Sequence, residues 1–233
     1  SITQTLSSNE EIKSELDKRL TLLNKAHFSM LQAQMNPHFL FNTLETINWM
    51  AVELTDSENN VSEAILSLSK LLRANYITED FLISFQDEIE YSKLYVKILE
   101  LRYDDLFKVI VDIEKEILSC KTIKLCLQPL IENAVYHGIK PKKQFGTVTI
   151  RGRMVENIIE IEVLDDGVGM TKEAVEKLNL RLAEKYDFTG RHIGITNINQ
   201  RIKIICGDDY GISIASEKGR FTSVKMTIPI IDI

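Results

Sequence analysis

Cysteine is scarce in this chain and poorly spaced for chemistry. Cys120, Cys126 and Cys206 are odd in number and fit neither a disulfide framework nor a zinc-ligand spacing, so they read as buried thiols in a reducing compartment. No apolar run is long enough to span a bilayer, and no signal peptide opens the chain. Ser1 rather than Met stands first, which leaves room for a membrane anchor upstream. Basic clusters are missing too. At a formal net charge of −6, no stripe of Lys and Arg offers itself to nucleic-acid phosphates. There is no P-loop of the G-x-x-x-x-G-K-[ST] form, no H-E-x-x-H, no internal repeat and no low-complexity segment. What remains is 233 residues that are 44% apolar, enough for a core without staples and too much for wholesale disorder.

The most telling absence is of charge. In a chain that is 27% Asp, Glu, Lys and Arg, the nineteen residues 26–44 carry none. Gln32, Gln34, Asn36, His38 and Asn42 lie inside that run and Pro37 interrupts its helical pattern. It therefore reads as buried or partner-facing surface and not as a membrane span. Residues 10–35 read as a long amphipathic helix, with Leu16, Leu20, Leu23, His27 and Met30 on a coiled-coil-like seam. His27 on that seam reads as a packed or partly exposed histidine rather than a ligand. Asn36-Pro37 should kink the helix, and the pattern resumes through Leu40, Leu44 and Ile47. A polar loop over 55–60 and a second helix from Val61 to about Tyr76 complete a hairpin. Its seams are best buried by dimerisation into a four-helix bundle.

Beyond residue 80 the texture changes. A helix is expected over 86–102, a strand over 107–113 and a helix from about Thr122 to Gly138, opened or kinked by Pro129. Strands over 146–154 and 158–164 join at Glu156-Asn157. A polar helix over 171–186, a helix over 194–205 and strands over 211–216 and 222–230 follow. The fold class is α+β: a helical hairpin over 1–80, then an α/β sandwich over 81–233 whose mixed sheet carries helices on one face.

Four features of the second part suit a nucleotide. In Gln128-Pro129-Leu130-Ile131-Glu132-Asn133-Ala134-Val135-Tyr136-His137-Gly138, Asn133 and His137 share a helical face opposite an apolar one. The Asn133 carbonyl suits a hard cation; a merely solvated helix face is about as good a reading of this stretch alone. In Asp165-Asp166-Gly167-Val168-Gly169, a carboxylate at a strand end can accept from an exocyclic amine, and the glycines allow close approach or positive φ. Alone, that stretch is more simply a turn. Gly190 and Gly194 open a helix whose amides would favour phosphate. Gly219-Arg220-Phe221-Thr222 joins the last two strands.

Order and spacing carry more than any single motif. An Asn-bearing helix, a D-x-G-x-G after a strand, a variable stretch and a glycine-opened helix resemble the Bergerat-type ATP fold of histidine kinases, gyrase, Hsp90 and MutL. Gln34-Met35-Asn36-Pro37-His38-Phe39-Leu40-Phe41-Asn42-Thr43-Leu44 resembles the phosphoacceptor box of the LytS/YesM-type sensor histidine kinases, and Gln128 to Gly138 resembles that family's N box. The likeness runs from about Leu31 to Pro229.

The resemblance implies a set of roles. His38 would be the phosphorylated histidine, Asn133 the Mg²⁺ ligand and Asp165 the carboxylate that reads adenine. Gly167, Gly169, Gly194 and Asn197 would shape the ATP pocket, with Thr222 beside them and His137 near the phosphates. Residues 171–189 would form a lid, and a hinge near Glu79-Asp80 would bring ATP·Mg²⁺ to His38. A neutral imidazole, with an unperturbed pKa of ~6.5, is a competent nucleophile for that transfer. The sequence departs from the pattern at four positions. Phe39 follows His38 where many relatives carry an acid, leaving Asn42 or Glu45 to orient the imidazole. Asp166 replaces the more usual Asn, and His192 and Phe221 replace glycines. The expected whole is the cytoplasmic part of a membrane-anchored bacterial sensor, a homodimer that passes phosphoryl from His38 to the receiver domain of a response regulator. Two other readings are an ATPase without phosphotransfer and a non-catalytic dimerisation module with a degenerate pocket.

Overall fold

α1 is described over Pro37–Glu53 in the computed structural model. The structure describes residues 37–54, 57, 59–77, 81–103, 106–183 and 194–231, with the side chains of 37–42 and 74–77 excluded. The expected helix over 10–35, its kink before Pro37 and the segment holding His192 lie outside the described residues. α2 (Asn60–Ile77) begins at a well-made cap. Asn59 Oδ1 accepts from the amides of Val61 (2.9 Å) and Ser62 (3.0 Å), and Asn59 Nδ2 donates to Ala51 O (2.9 Å). One side chain thus caps α2, worth about 1 kcal/mol, and ties it to the end of α1. The expected hairpin is there. Two compact units make up the chain, 1–65 and 66–233, the break falling inside α2.

The second unit is built on alternation. Residues Ile159, Ile161, Val163 and Asp165 of β5 (Ile158–Asp165) are buried and their neighbours are not, as a sheet with one covered face requires. β4 (Gly146–Val155) and β5 form the expected hairpin, with Glu156 at φ +53 in its turn. β2 (Phe107–Ile113) pairs parallel with β4. β6 (Gly211–Glu217) and β7 (Phe221–Pro229) complete the order β2-β4-β5-β7-β6, antiparallel except for β2 against β4. The mixed sheet was expected and is found.

The other face of the sheet is polar and laced by cross-strand pairs. Arg151 meets Glu162 (3.0 Å), Lys225 meets Glu160 (2.9 Å), and Ser223 Oγ donates to Glu162 (2.5 Å). The helices therefore share the apolar face. Ile150, Ile159 and Ile161 of the sheet are fully buried, as are Leu130, Ile131, Ile198 and Ile202 of the helices, each worth roughly 1.5–3 kcal/mol relative to exposure.

The helices are α3 (Phe85–Tyr103), α4 (Leu127–Asn133), α5 (Lys172–Ala183) and α6 (Ile195–Cys206). Two expectations need correction. The helix placed from about Thr122 begins at Leu127 instead. Lys121–Ile123 is a short strand, β3, paired antiparallel with β1 (Leu82–Ser84). Leu125 at φ +54 then turns the chain into α4, with Pro129 in its first turn. Nor does α4 run on as a plain α-helix: Ala134–Ile139 is π-helical, followed by one α turn, Lys140–Lys142.

Candidate functional site

A cavity of about 750 Å³ opens among α4, its π-helical continuation, α5, the start of α6 and the ends of β5 and β7. All of its lining belongs to the unit 66–233. Val163, Ile214, Val224, Leu178 and Leu182 supply apolar wall, and Asp165 supplies the charge. The strand register explains why. One row across the covered face of the sheet reads Val109, Val148, Asp165, Thr222, Ser216, so Asp165 sits mid-sheet where the pattern calls for an apolar residue.

Asp165 is 3% exposed. Burial pushes its carboxyl up to about 6, and Asp166 adds to the rise; the Gly167 amide and Lys142 oppose it. Oδ1 accepts from Gly167 N (2.9 Å). Oδ2 has no hydrogen bond among the described residues, leaving one acceptor for a donor in the cavity. The backbone around it interlocks. A Cβ on Gly167 would lie 2.3 Å from the carbonyl carbon of Gly138, and one on Gly138 would lie 2.3 Å from Asp165 Oδ1. Gly169 adopts φ +58 with its α-carbon against the Glu217 carbonyl. The β6–β7 turn is pinned there by Gly219 N donating to Val168 O (2.6 Å) and Met170 N donating to Ser216 Oγ (2.8 Å). The close approach foreseen for these glycines was to a flat ring; Gly167 instead meets the Gly138 backbone, while Gly169 takes the positive φ.

Asn133 stands where α4 passes into the π-helical turn. Its Nδ2 donates to Pro129 O (2.6 Å), leaving Oδ1 without a partner among the described residues. A π-segment widens the turn and re-aims side chains, which is why such segments recur at functional sites. Asn133, Tyr136 and His137 all line the cavity, and the His137 ring meets Tyr136 edge-on at 5.0 Å. Thr222, opposite Asp165 on β7, shares its hydroxyl with Ser216 Oγ (3.1 Å). Gly194 lies at the N-terminus of α6, and Ile195 and Thr196 follow it on the wall, where first-turn amides and the helix dipole favour an anion.

The structure thus gathers Asn133, His137, Asp165, Gly169, Gly194 and Thr222 around one cavity. Gly167 is buried beneath it and Asn197 is exposed on α6; neither lines it. The proposed lid divides. Residues 172–183 are α5, held on β6 by Asn179, whose side chain donates to Ile214 O (2.8 Å) and accepts from Ile214 N (2.9 Å), and 184–193 lie outside the described residues. Two charged lining residues were given no individual role in the sequence reading, Arg181 entering only as part of the lid. Glu132 precedes Asn133; burial first, then the Glu132 charge and its hydrogen bond with the phenol, push Tyr95 up to about 12. Arg181 reaches the wall from α5. Both had the look of solvated helix charges. His38, Asn42 and Glu45 are positions of α1, in the other unit.

Two family models match the chain one after the other. Residues 26–107 match the family described as histidine kinase, and 120–231 match the histidine kinase-, DNA gyrase B- and HSP90-like ATPases. The chain is 33% identical over 221 residues to the sensor histidine kinase YesM of Bacillus subtilis, covering 95% of this chain and 36% of YesM. It is 34% identical over 208 residues to the sensor histidine kinase YpdA of Escherichia coli, covering 89% and 35%. With the sensor protein LytS of Oceanobacillus iheyensis it shares 31% over 227 residues, covering 97% and 38%. The chain spans little more than a third of the length of these curated relatives. Among solved structures, the catalytic domain of histidine kinase ThkA aligns over 65% of this chain and 97% of its own at 16% identity, with a TM-score of 0.48. With both halves matched in order and curated relatives matched over most of its length, this chain belongs to the sensor histidine kinases of the LytS/YesM type.

Proposed function

We propose that this chain is the catalytic part of a two-component sensor, in which ATP phosphorylates His38 and the phosphoryl group passes on to an aspartate of a response regulator. The observation that carries the reading is Asp165, a buried carboxylate at the floor of an apolar cavity with one oxygen still to be satisfied. An exocyclic amine of adenine is the donor it suits, and a ring of that size suits the walls of Val163, Ile214 and Val224. The residues present also fit a divalent cation. Among the described residues, Asn133 Oδ1 is a neutral oxygen donor without a partner, and no group of three or more His, Cys, Asp or Glu ligands occurs. A Mg²⁺ held by one side chain, phosphate oxygens and water is the kind of site this makes.

Bound Mg·ATP would supply the γ-phosphoryl group and the charge neutralisation that phosphoryl transfer needs. The protein does the rest by placement. Asp165 and Thr222 orient the base, and the first turn of α6 presents amides to the phosphates. Asn133 fixes the cation, and His38 offers a neutral imidazole nitrogen as nucleophile. Functionally the chain divides at about residue 80, into phosphoacceptor helices and an ATP-binding domain. The partners are a second copy of the chain, through the helices, and a receiver domain. Membrane attachment, in this reading, comes from sequence outside these residues, among whose described helices none is long and apolar enough to cross a bilayer.

Incubation with γ-labelled ATP and Mg²⁺ tests this directly. Wild-type protein should gain acid-labile, base-stable label, and His38→Ala and Asn133→Ala should each lose it. Label surviving in His38→Ala would move the acceptor elsewhere. Turnover of ATP with unlabelled protein would make the chain an ATPase, and absence of nucleotide binding would leave a dimerisation module.

A further inference from the structure

Glu88, in the first turn of α3, is 1% exposed and lies outside the cavity lining. Its carboxylate is nonetheless fully engaged. Oε2 accepts from Leu125 N (2.7 Å) and Oε1 from Leu127 N (2.8 Å), and the Cys126 thiol donates to it as well. These donors flank the left-handed residue Leu125 that turns the chain into α4. The same turn is held from the other side. Arg201 of α6, itself largely buried, donates through Nη2 to Lys124 O (2.7 Å), and its charge favours the ionised form of Glu88 without direct contact.

Burial pushes the Glu88 carboxyl up, while two backbone amides, the thiol and Arg201 oppose that. A buried charged pair is a poor source of stability, since neutral groups of like shape commonly replace it at little cost. Its location is more informative. The turn over 124–127 starts the helix that carries Asn133, and Arg201 belongs to the helix whose first turn, with Gly194, Ile195 and Thr196, lines the cavity beside it, where a Cβ on Gly194 would lie 3.5 Å from Asn133 Nδ2.

We propose that Glu88 is a positioning residue which, with Arg201, fixes the start of α4 against α6 and so sets the spacing between the cation ligand Asn133 and the phosphate-facing amides of α6. This rests on the nucleotide reading above and adds to it two residues that touch no ligand. Asp165 is placed by β5 and not by this turn, so base recognition is independent of the clamp.

The test compares wild type, Glu88→Gln and Glu88→Gln/Arg201→Gln in the 233-residue chain. Mg·ATP and adenosine are each competed against a fluorescent nucleotide, and thermal melts are recorded alongside. Glu88→Gln turns an amide N–H₂ onto a backbone N–H and leaves Arg201 unbalanced; the double variant removes that excess charge. The Mg·ATP affinity of Glu88→Gln should fall about tenfold, in the range seen when groups behind a metal ligand are removed, while adenosine affinity stays as it was. In the double variant the melting temperature should return towards wild type and the Mg·ATP loss should persist. Wild-type Mg·ATP affinity in Glu88→Gln overturns the proposal. So does a parallel loss of adenosine, or recovery of Mg·ATP binding together with the melt, either of which marks a merely structural role. If wild type itself binds neither ligand, the nucleotide reading fails and takes this inference with it.

Discussion

Asp165 shows how one residue can serve a site at the expense of the fold. A carboxyl moved from 3.8 to about 6 by burial corresponds to roughly 3 kcal/mol at most. The sign follows from proton binding. Between 3.8 and about 6 the folded protein keeps a proton that the unfolded chain has lost, so stability falls as pH rises through that window, and the whole penalty is present above it. Asp165→Asn keeps an acceptor for Gly167 N and removes the buried charge. At pH 8 it should melt higher, by roughly 5 °C for a unit of this size, and the gain should vanish near pH 4. Nucleotide affinity should move the other way: the variant turns a donor towards the adenine amine, and wild-type binding should itself weaken as pH falls through about 6. Melts and nucleotide titrations across pH 4–8 check both halves. A variant that is stabilised and still binds as wild type would remove Asp165 from base recognition.

At the scale of elements, the edge of the sheet is guarded by side-chain amides. Among the described residues β6 pairs only with β7. Its outward groups are met by Asn179 of α5, which brackets Ile214, and by Asn199 of α6, whose Oδ1 accepts from Ile212 N (2.8 Å). Asn199 Nδ2 and Lys203 Nζ also close on Leu182 O (2.8 and 2.6 Å), near the end of α5. Asn199 is 2% exposed, so Asn199→Ala leaves the Ile212 amide buried and unpaired at a cost of about 1–3 kcal/mol. A melt lowered by roughly 3–10 °C, with light scattering rising as the edge opens, is the expected outcome. An unchanged melt would mean that water serves as well. None of this was legible in the sequence, where a polar residue on an amphipathic helix reads as solvated. The sheet was legible, because period-two alternation is forced by a single covered face. Asn133, Asp165 and Gly194 could be named from their motifs, Asp165 at the end of a strand and Gly194 at the start of a helix, and the structure puts all three on one cavity. The π-segment was not legible, since a single widened turn shifts the apolar spacing by about one residue, too little for a periodic pattern to mark. β3 was lost for a related reason: three residues are too few to show a period, and Thr122 and Ile123 were absorbed into the helix that follows.

For the whole molecule, the unresolved demand is on the hairpin. Trp49 is 74% exposed, Met50 57% and Leu54 85%, with Ile47 and Val61 also open to solvent. Two helices cannot enclose their own seam, and apolar exposure of this density marks an interface rather than a soluble surface. The proposed second copy of the chain would meet the demand by symmetry, each hairpin covering the other in a four-helix bundle. Sedimentation of the wild-type chain should therefore give twice the 26.7 kDa of one chain. Trp49→Glu places a charge in the middle of the patch and should shift the mass to that of one chain at micromolar concentration. The sheet unit keeps its own core, so Mg·ATP affinity in Trp49→Glu should be that of wild type, while labelling of His38 falls if it depends on the assembled bundle. A wild-type chain that sediments as a monomer and still labels at a rate per molecule independent of concentration would show that one copy suffices. The apolar face of α1 would then be left to the receiver domain.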